Sequence, residues 1–346
     1  MGTGREPVAL PSELAVVDSH TGGEPTRVVV DGLEPFEGAG LVAREAAMRP
    51  QLDGLVGFLC GEPRGHAPVH AVLPQPPSSP DADAALLIIS ALGSLGMCGH
   101  ALIGAVTTLV ETGMLPDRGP RSRYVIETLA GPIAAEAEVD RGRVRSVTFE
   151  NAPAWVLARS FPVTVPDLGR VEVDVVYGGL WYAVLAADAV GLTIEPGQVA
   201  RLVALSHAIR AALNADLGRL PDDPLRPTRI PQLLWTGPGI EEGADGRNLA
   251  TSSELGYDRS PCGTGSSARM ALEHARGRLG IGQPYVHESV IGSRFRGELV
   301  REVPRGAGVA VVPRITGSAH LTARSTLLAR ADDPLAGGFH IPPASD

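Results

Sequence analysis

Apolar and polar positions fall into short blocks along the chain, some alternating, some continuous, some at helical spacing, and together they predict a mixed α/β protein. Leu14 to Asp18 reads as a strand that ends in the polar turn Ser19-His20-Thr21-Gly22-Gly23-Glu24-Pro25, after which residues 26–30 resume as a strand. Residues 41–49 predict a short helix. The apolar run 54–60 reads as a buried strand, followed by a turn-rich stretch to His66. Pro74, Pro76, Pro77 and Pro80 predict a loop over residues 73–80, and Leu86-Leu87-Ile88-Ile89 predicts another buried strand. From Ala101 to Thr112 the apolar residues lie all round a helical wheel, so this helix belongs inside a domain. Gly113 is its expected stop. Residues 124–128, 134–139 and 144–150 follow as β-like runs.

At residues 151–155 the pattern starts again. Residues 171–177 alternate as a strand, Gly178-Gly179 turns, and 181–186 resumes. Leu202, Leu205, Ile209, Ala212 and Leu213 give residues 199–217 helical spacing. Residues 221–231 read as loop and 232–236 as a short strand, and a second internal helix is expected over 266–276, stopped by Gly277. Each half places a glycine-framed cysteine ahead of its central helix: Gly96-Met97-Cys98-Gly99-His100 in the first, Ser260-Pro261-Cys262-Gly263-Thr264-Gly265 in the second. The cysteines stand 164 residues apart in a chain of 346, which points to a duplicated plan. It predicts two domains, residues 1–157 carrying Cys98 and 158–317 carrying Cys262. The tail beyond Arg330, with Pro342-Pro343 near its end, is polar and turn-rich.

Composition removes several function classes. A net charge of −9 argues against a nucleic-acid partner, which needs a basic face. No apolar run is long enough for a membrane span, and residues 1–7 lack the pattern of a secretory leader. Three cysteines are too few for a disulfide framework and suit a reducing cytoplasm. All 30 basic residues are arginines. Without a lysine the chain cannot hold pyridoxal phosphate as a Schiff base or build a Walker-type phosphate loop.

The chemistry then rests on thiols. A cysteine at a helix N-terminus meets free backbone N–H groups and the positive end of the helix dipole, which favour an anion such as a thiolate or a bound carboxylate. Two such cysteines suit moving a proton off one face of an acidic carbon and onto the other, one acting as thiolate and one as thiol. Backbone N–H groups at Gly99-His100 and Gly263-Thr264 would hold the substrate carboxylate as charge spreads onto it. Asp258 is placed to meet the substrate ammonium, a task His100 could share. A lone cysteine before a helix is more often a small buried hydrophobe, and Cys60, with no glycine frame, reads as that. Cys98, His100 and Cys262 could together bind zinc, but the Cys-x-His spacing matches no familiar zinc knuckle and a fourth ligand is missing. The expected site therefore holds no metal and no cofactor. Asp18, His20 and Glu24 read as bracing of a tight turn or support behind the site, and Arg64 and His66 fit either role.

At these residues the chain resembles the proline racemase family, which includes 4-hydroxyproline 2-epimerases and trans-3-hydroxyproline dehydratases. The resemblance rests on Asp18-Ser19-His20-Thr21-Gly22-Gly23-Glu24-Pro25, Glu62-Pro63-Arg64-Gly65-His66, Met97-Cys98-Gly99-His100, Asp258-Arg259-Ser260-Pro261-Cys262-Gly263-Thr264-Gly265 and Ile291-Gly292-Ser293-Arg294-Phe295. It implies a diaminopimelate-epimerase-like α/β fold. That is two pseudo-symmetric domains, each a curved, mostly antiparallel sheet around a central helix, with the site in the cleft and residues 318–346 returning to the first domain. It implies Cys98 and Cys262 as the proton-transfer pair, with Gly99, His100, Asp258, Gly263 and Thr264 holding a small imino acid. The dehydratases typically carry threonine at the second cysteine; Cys262 here favours epimerisation of 4-hydroxyproline. Racemisation of proline or epimerisation of 3-hydroxyproline is the alternative, and water loss is less favoured. Where many hydroxyproline epimerases have Gly-Thr-Ile-Gly after the histidine, this chain has Ala101-Leu102-Ile103-Gly104, an apolar change. The oligomeric state, a homodimer included, stays open.

Overall fold

A computed structural model describes residues 11–252, 256–306 and 308–340. The first half runs β1 (Glu13–Thr21), β2 (Glu24–Asp31), α1 (Leu41–Met48), α2 (Leu52–Cys60), β3 (His70–Gln75), β4 (Ala84–Ser90), β5 (Gly93–Leu95), α3 (Gly99–Glu111), β6 (Arg121–Thr128), β7 (Gly131–Asp140) and β8 (Arg143–Glu150). The second half runs β9 (Trp155–Val165), β10 (Gly169–Tyr177), β11 (Trp181–Ala186), α4 (Val199–Ala215), β12 (Gln232–Gly237), β13 (Gly246–Ser252), β14 (Gly256–Tyr257), α5 (Gly263–Ala275), β15 (Pro284–Ser289), β16 (Arg294–Arg305), β17 (Gly308–Gly317) and β18 (Ala319–Leu328).

Two compact units result. Among the described residues the first takes in 11–21, 25–145 and 319–340, and the second 22–24, 146–252, 256–306 and 308–318. The junction therefore lies at 145/146 and not at the expected 157/158. It falls inside β8, because residues 147–150 of that strand pair with β17 of the second unit. The turn Gly22–Glu24 also counts with the second unit, which no local pattern foretells. Pro342-Pro343 of the tail, like the residues at the amino terminus, lies outside the described residues.

In the first unit β18 pairs antiparallel with β1, β1 with β2, and then β2 runs parallel to β3, β3 antiparallel to β4, β4 parallel to β6 and β6 antiparallel to β7. The second unit repeats this alternation. β10 is antiparallel to β11, β11 parallel to β12, β12 antiparallel to β13, β13 parallel to β15 and β15 antiparallel to β16. Each unit also centres on a largely buried helix of 13 residues, α3 packed on β1, β3, β7 and β18, and α5 packed on β9, β10, β11, β13, β16 and β17. The repetition expected from the cysteine spacing is thus a repetition of strand order.

Packing explains where the elements lie. In α3, residues 99–110 are all buried, and a Cβ on Gly104 would sit 2.9 Å from Thr26 Oγ1 and 3.1 Å from Ser19 Oγ. Glycine there lets the helix backbone close onto β1 and β2. On the other face of the second unit, α4 buries Leu202, Ile209 and Leu213 against Trp235, whose indole N–H donates to Ser206 Oγ at 2.7 Å. Fully burying an aliphatic side chain of this size contributes about 1.5–3 kcal/mol, so these contacts hold the sheet that carries the site.

Two sequence expectations fail here. Residues 54–60 are helical, as part of α2, because Leu55, Phe58 and Leu59 point into one core at i, i+3 and i+4; a short apolar run does not distinguish strand from helix. Residues 73–75 belong to β3, not to a loop. Pro74 pairs with Leu86 on one side, while β2 covers only His70 to Val72 on the other, so its missing N–H faces no ladder.

Candidate active site

Both glycine-framed cysteines are helix N-caps. In the first unit Cys98 has extended backbone and its carbonyl accepts the N–H of Leu102, opening α3. Its sulfur lies 3.3 Å from His100 Nδ1. The Thr21 hydroxyl donates to the His100 carbonyl at 2.9 Å, fixing the first turn of the helix to the end of β1. His70, at the start of β3, stacks edge-on against the His100 ring with centroids 4.4 Å apart. Cys98 is partly exposed, whereas Gly99 and His100 are buried.

In the second unit Cys262 opens α5 from a strained position. Its φ of 65° lies in the left-handed region that a side chain with a Cβ rarely occupies, at a cost of about 1–3 kcal/mol. A web of hydrogen bonds maintains it. The Cys262 N–H donates to Ser260 Oγ at 3.1 Å, the Ser260 N–H to Asp258 Oδ1 at 2.8 Å, and Ser266 Oγ to the Pro261 carbonyl at 3.1 Å. Asn248 Nδ2 also reaches Pro261 O, and Arg269 in turn donates to Asn248 Oδ1 at 2.8 Å. The sulfur itself accepts the Gly265 N–H at 3.4 Å and lies 3.3 Å from the Tyr182 hydroxyl, which is 2.6 Å from Thr264 Oγ1.

The electrostatics of Cys262 reverse the sequence expectation. Burial pushes its thiol up, the Asp258 carboxylate adds to this, and the hydrogen bonds from Tyr182, Gly265 and Thr264 only partly oppose it, leaving it at about 12. The helix N-terminus therefore does not make Cys262 a thiolate at neutral pH; desolvation wins and it rests as a thiol. Burial likewise drives the Tyr182 phenol well above its usual range, with the neighbouring Cys262 adding to it, so Tyr182 stays a neutral donor. Removing that donor has a defined sign. Tyr182→Phe is expected to slow alkylation of Cys262 about tenfold at a given alkaline pH, since a hydrogen bond to a charged sulfur contributes about 1.5 kcal/mol. Mass spectrometry of iodoacetamide-treated protein checks this, and an unchanged rate would show that Tyr182 does not stabilise the thiolate.

The first unit thus gathers Cys98, Gly99 and His100, and the second gathers Asp258, Cys262, Gly263 and Thr264. His100 faces the Cys98 sulfur through Nδ1 alone. Asp18 forms a two-pronged ion pair with Arg27 at 2.7 and 2.8 Å, and Arg27 also donates to the Leu59 and Arg64 carbonyls. Glu24 accepts the Arg259 N–H at 2.8 Å next to Asp258. Asp18 thus ties β1 to β2 through Arg27, and Glu24 ties the start of β2 to the Arg259 backbone. Arg64 ties α2 to the tail through the carbonyls of Phe58 and Ala336. A cavity of about 330 Å³ in the first unit is lined by Asp18, His20, Arg27, Arg64 and His66 among others, and by none of the expected site residues. Tyr182 and His70 are contacts the sequence did not reveal, because each reaches its cysteine from a distant strand.

The geometry has counterparts. A family model described as proline racemase matches residues 16–340. A 4-hydroxyproline 2-epimerase of Streptosporangium roseum is 38% identical, the match covering 93% of this chain and 97% of that protein. A proline racemase of Clostridioides difficile is 34% identical, over 94% of this chain and 97% of its own. The crystal structure of a hydroxyproline epimerase from Agrobacterium vitis with bound trans-4-hydroxy-L-proline superposes with a TM-score of 0.84 at 30% identity, covering 96% of each chain. The fold expected from the motifs is the one adopted. Among the described residues no helix is long and apolar enough to cross a membrane.

Proposed function

The chain belongs to the proline racemase family, and from that premise we propose that it is a 4-hydroxyproline 2-epimerase, interconverting trans-4-hydroxy-L-proline and cis-4-hydroxy-D-proline without a cofactor. One observation carries the reading: each unit presents a cysteine as the N-cap of its single internal 13-residue helix. The identity with the Streptosporangium roseum epimerase and the ligand held by the Agrobacterium vitis protein support the substrate.

The chemistry follows from the groups available. The Cα–H of an amino acid is a very weak acid, and inversion requires a proton to leave one face and another to reach the opposite face. In this reading one of Cys98 and Cys262 is the thiolate that takes the proton and the other is the thiol that returns one. Cys262, resting as a thiol, is the donor in one direction, which gives Cys98 the role of base there. The charge released at Cα spreads onto the substrate carboxylate, held by N–H groups at Gly99, His100, Gly263 and Thr264. Asp258 receives the ring ammonium. That pairing cancels part of the charge that pushes Cys262 up, so substrate binding itself eases Cys262 toward the thiolate needed for the reverse direction. A secondary amine is also a poor partner for pyridoxal chemistry, in keeping with a chain that has no lysine. Two thiols that must stay reduced suit a cytoplasmic setting.

The test is a substrate panel read by NMR and chiral chromatography. Trans-4-hydroxy-L-proline is expected to give cis-4-hydroxy-D-proline at a kcat/KM at least tenfold above that for L-proline, with no product of water loss from trans-3-hydroxy-L-proline. A preference for L-proline would make the chain a racemase of the unsubstituted ring. An unsaturated or carbonyl product would assign it to the dehydratases.

A further inference from the structure

His70, Cys98 and His100 bring three metal-ligating atoms within 4.8 Å of one another inside the first unit. The sequence suggested a different set, with Cys262 as a member; the fold supplies His70 instead, from a strand 28 residues upstream of Cys98. The Cys98 sulfur and His100 Nδ1 are 3.3 Å apart, and a tetrahedral zinc ion holds sulfur and nitrogen ligands about 3.6 Å apart, so little movement is needed. The other nitrogen of His100, Nε2, is buried without a hydrogen-bond partner. His70 Nδ1 lies 3.0 Å from the Pro68 carbonyl. A carbonyl can only accept, so Nδ1 carries the proton and Nε2 carries the lone pair, the arrangement that presets a histidine for a metal. Both imidazoles are about 95% buried and pinned, whereas the sulfur is reachable from solvent.

We propose that these three residues form a site for a thiophilic divalent cation of the zinc class, and that filling it switches off turnover reversibly. The metal binds the Cys98 sulfur as thiolate, any proton on that sulfur passing to solvent; two imidazole lone pairs complete three protein ligands and leave a fourth position open. A sulfur whose lone pair is held by zinc neither takes nor gives a proton. The inhibitory half rests on the role proposed for Cys98 above, and the binding half does not.

The test uses the full chain with Zn²⁺ for calorimetry and turnover and Cd²⁺ for spectroscopy. One Zn²⁺ is expected to bind per chain, and Cd²⁺ to produce a thiolate-to-metal charge-transfer band that survives in Cys262→Ser and disappears in Cys98→Ser. His70→Gln and His70→Phe are both expected to weaken Zn²⁺ binding about 10²-fold, and the turnover each variant shows in metal-free buffer is expected to resist zinc at concentrations that silence the wild type. A chelator should restore the inhibited wild-type enzyme fully. A charge-transfer band that persists in Cys98→Ser, or His70 variants that bind Zn²⁺ as tightly as wild type, would overturn the site. Zinc bound at the triad with turnover undiminished would leave the site standing and remove Cys98 from proton transfer.

Discussion

Cys98→Ser and Cys262→Ser are each expected to lower epimerisation at least about 10³-fold in both directions. General acid–base groups typically contribute 10²- to 10⁴-fold, and a serine hydroxyl of similar size is a far weaker acid than a thiol. Either loss should fall on kcat much more than on KM, because the reaction needs both groups and binding needs neither sulfur. The double variant should be scarcely worse than the singles, as happens when residues act as one device. Cys60 provides the contrast. It is fully buried at the end of α2, and burial pushes its thiol up to about 12, so Cys60→Ala should leave turnover per folded molecule nearly unchanged. Following Cα inversion by NMR for the four variants checks the set; near-normal epimerisation in Cys98→Ser or Cys262→Ser would remove the two-thiol reading.

Gly178→Ala comes second in expected effect, although Gly178 bears no chemistry. It sits in the turn after β10, and a Cβ there would strike the Thr264 carbonyl, lie 2.5 Å from the Ala268 nitrogen and 2.9 Å from its Cβ. The obstacles are backbone atoms of α5, which cannot swing aside as a side chain would. Accommodation requires the turn and the helix start to part, at about 1–3 kcal/mol for such overpacking. The Gly178 carbonyl also accepts from Asn151 Nδ2 at 3.0 Å, and Asn151 holds Ser267 Oγ at 2.9 Å, so the shift would loosen the first turns of α5. A displacement on the order of 1 Å at a reacting group can cost 10²-fold. Gly178→Ala is therefore expected to stay folded, to unfold at lower urea, and to turn over about 10²-fold more slowly. Wild-type turnover in a destabilised variant would separate this contact from the site.

What the sequence made legible was local. A glycine-framed cysteine ahead of an apolar helix needs no tertiary information to be read as an N-cap, and both Cys98 and Cys262 are that. What stayed hidden depends on distant partners. β13 is buried throughout yet contains Arg247, Asn248, Thr251 and Ser252, so no apolar pattern marks it. Its Arg247 is tolerable in the interior because the buried Glu288 carboxylate, 41 residues on, lies 3.0 Å away, and Asn248 is matched by Ser266 and Arg269. The direction of the Cys262 shift is hidden for the same reason. A helix start is visible in sequence, but the desolvation that overrides it comes from packing, and the charge of the Asp258 carboxylate adds to it. His70 and Tyr182 read only as strand residues; their value lies in which cysteine each strand reaches.

The central claim is that one sulfur takes the proton and a different sulfur returns one. Turnover of trans-4-hydroxy-L-proline in D₂O, stopped at low conversion and read by NMR and mass spectrometry, tests it most directly. Two groups of separate origin predict cis-4-hydroxy-D-proline fully deuterated at Cα, while the recovered L substrate still carries protium. Product that retains the original Cα proton would mean that a single group performs both transfers, and the account would fail.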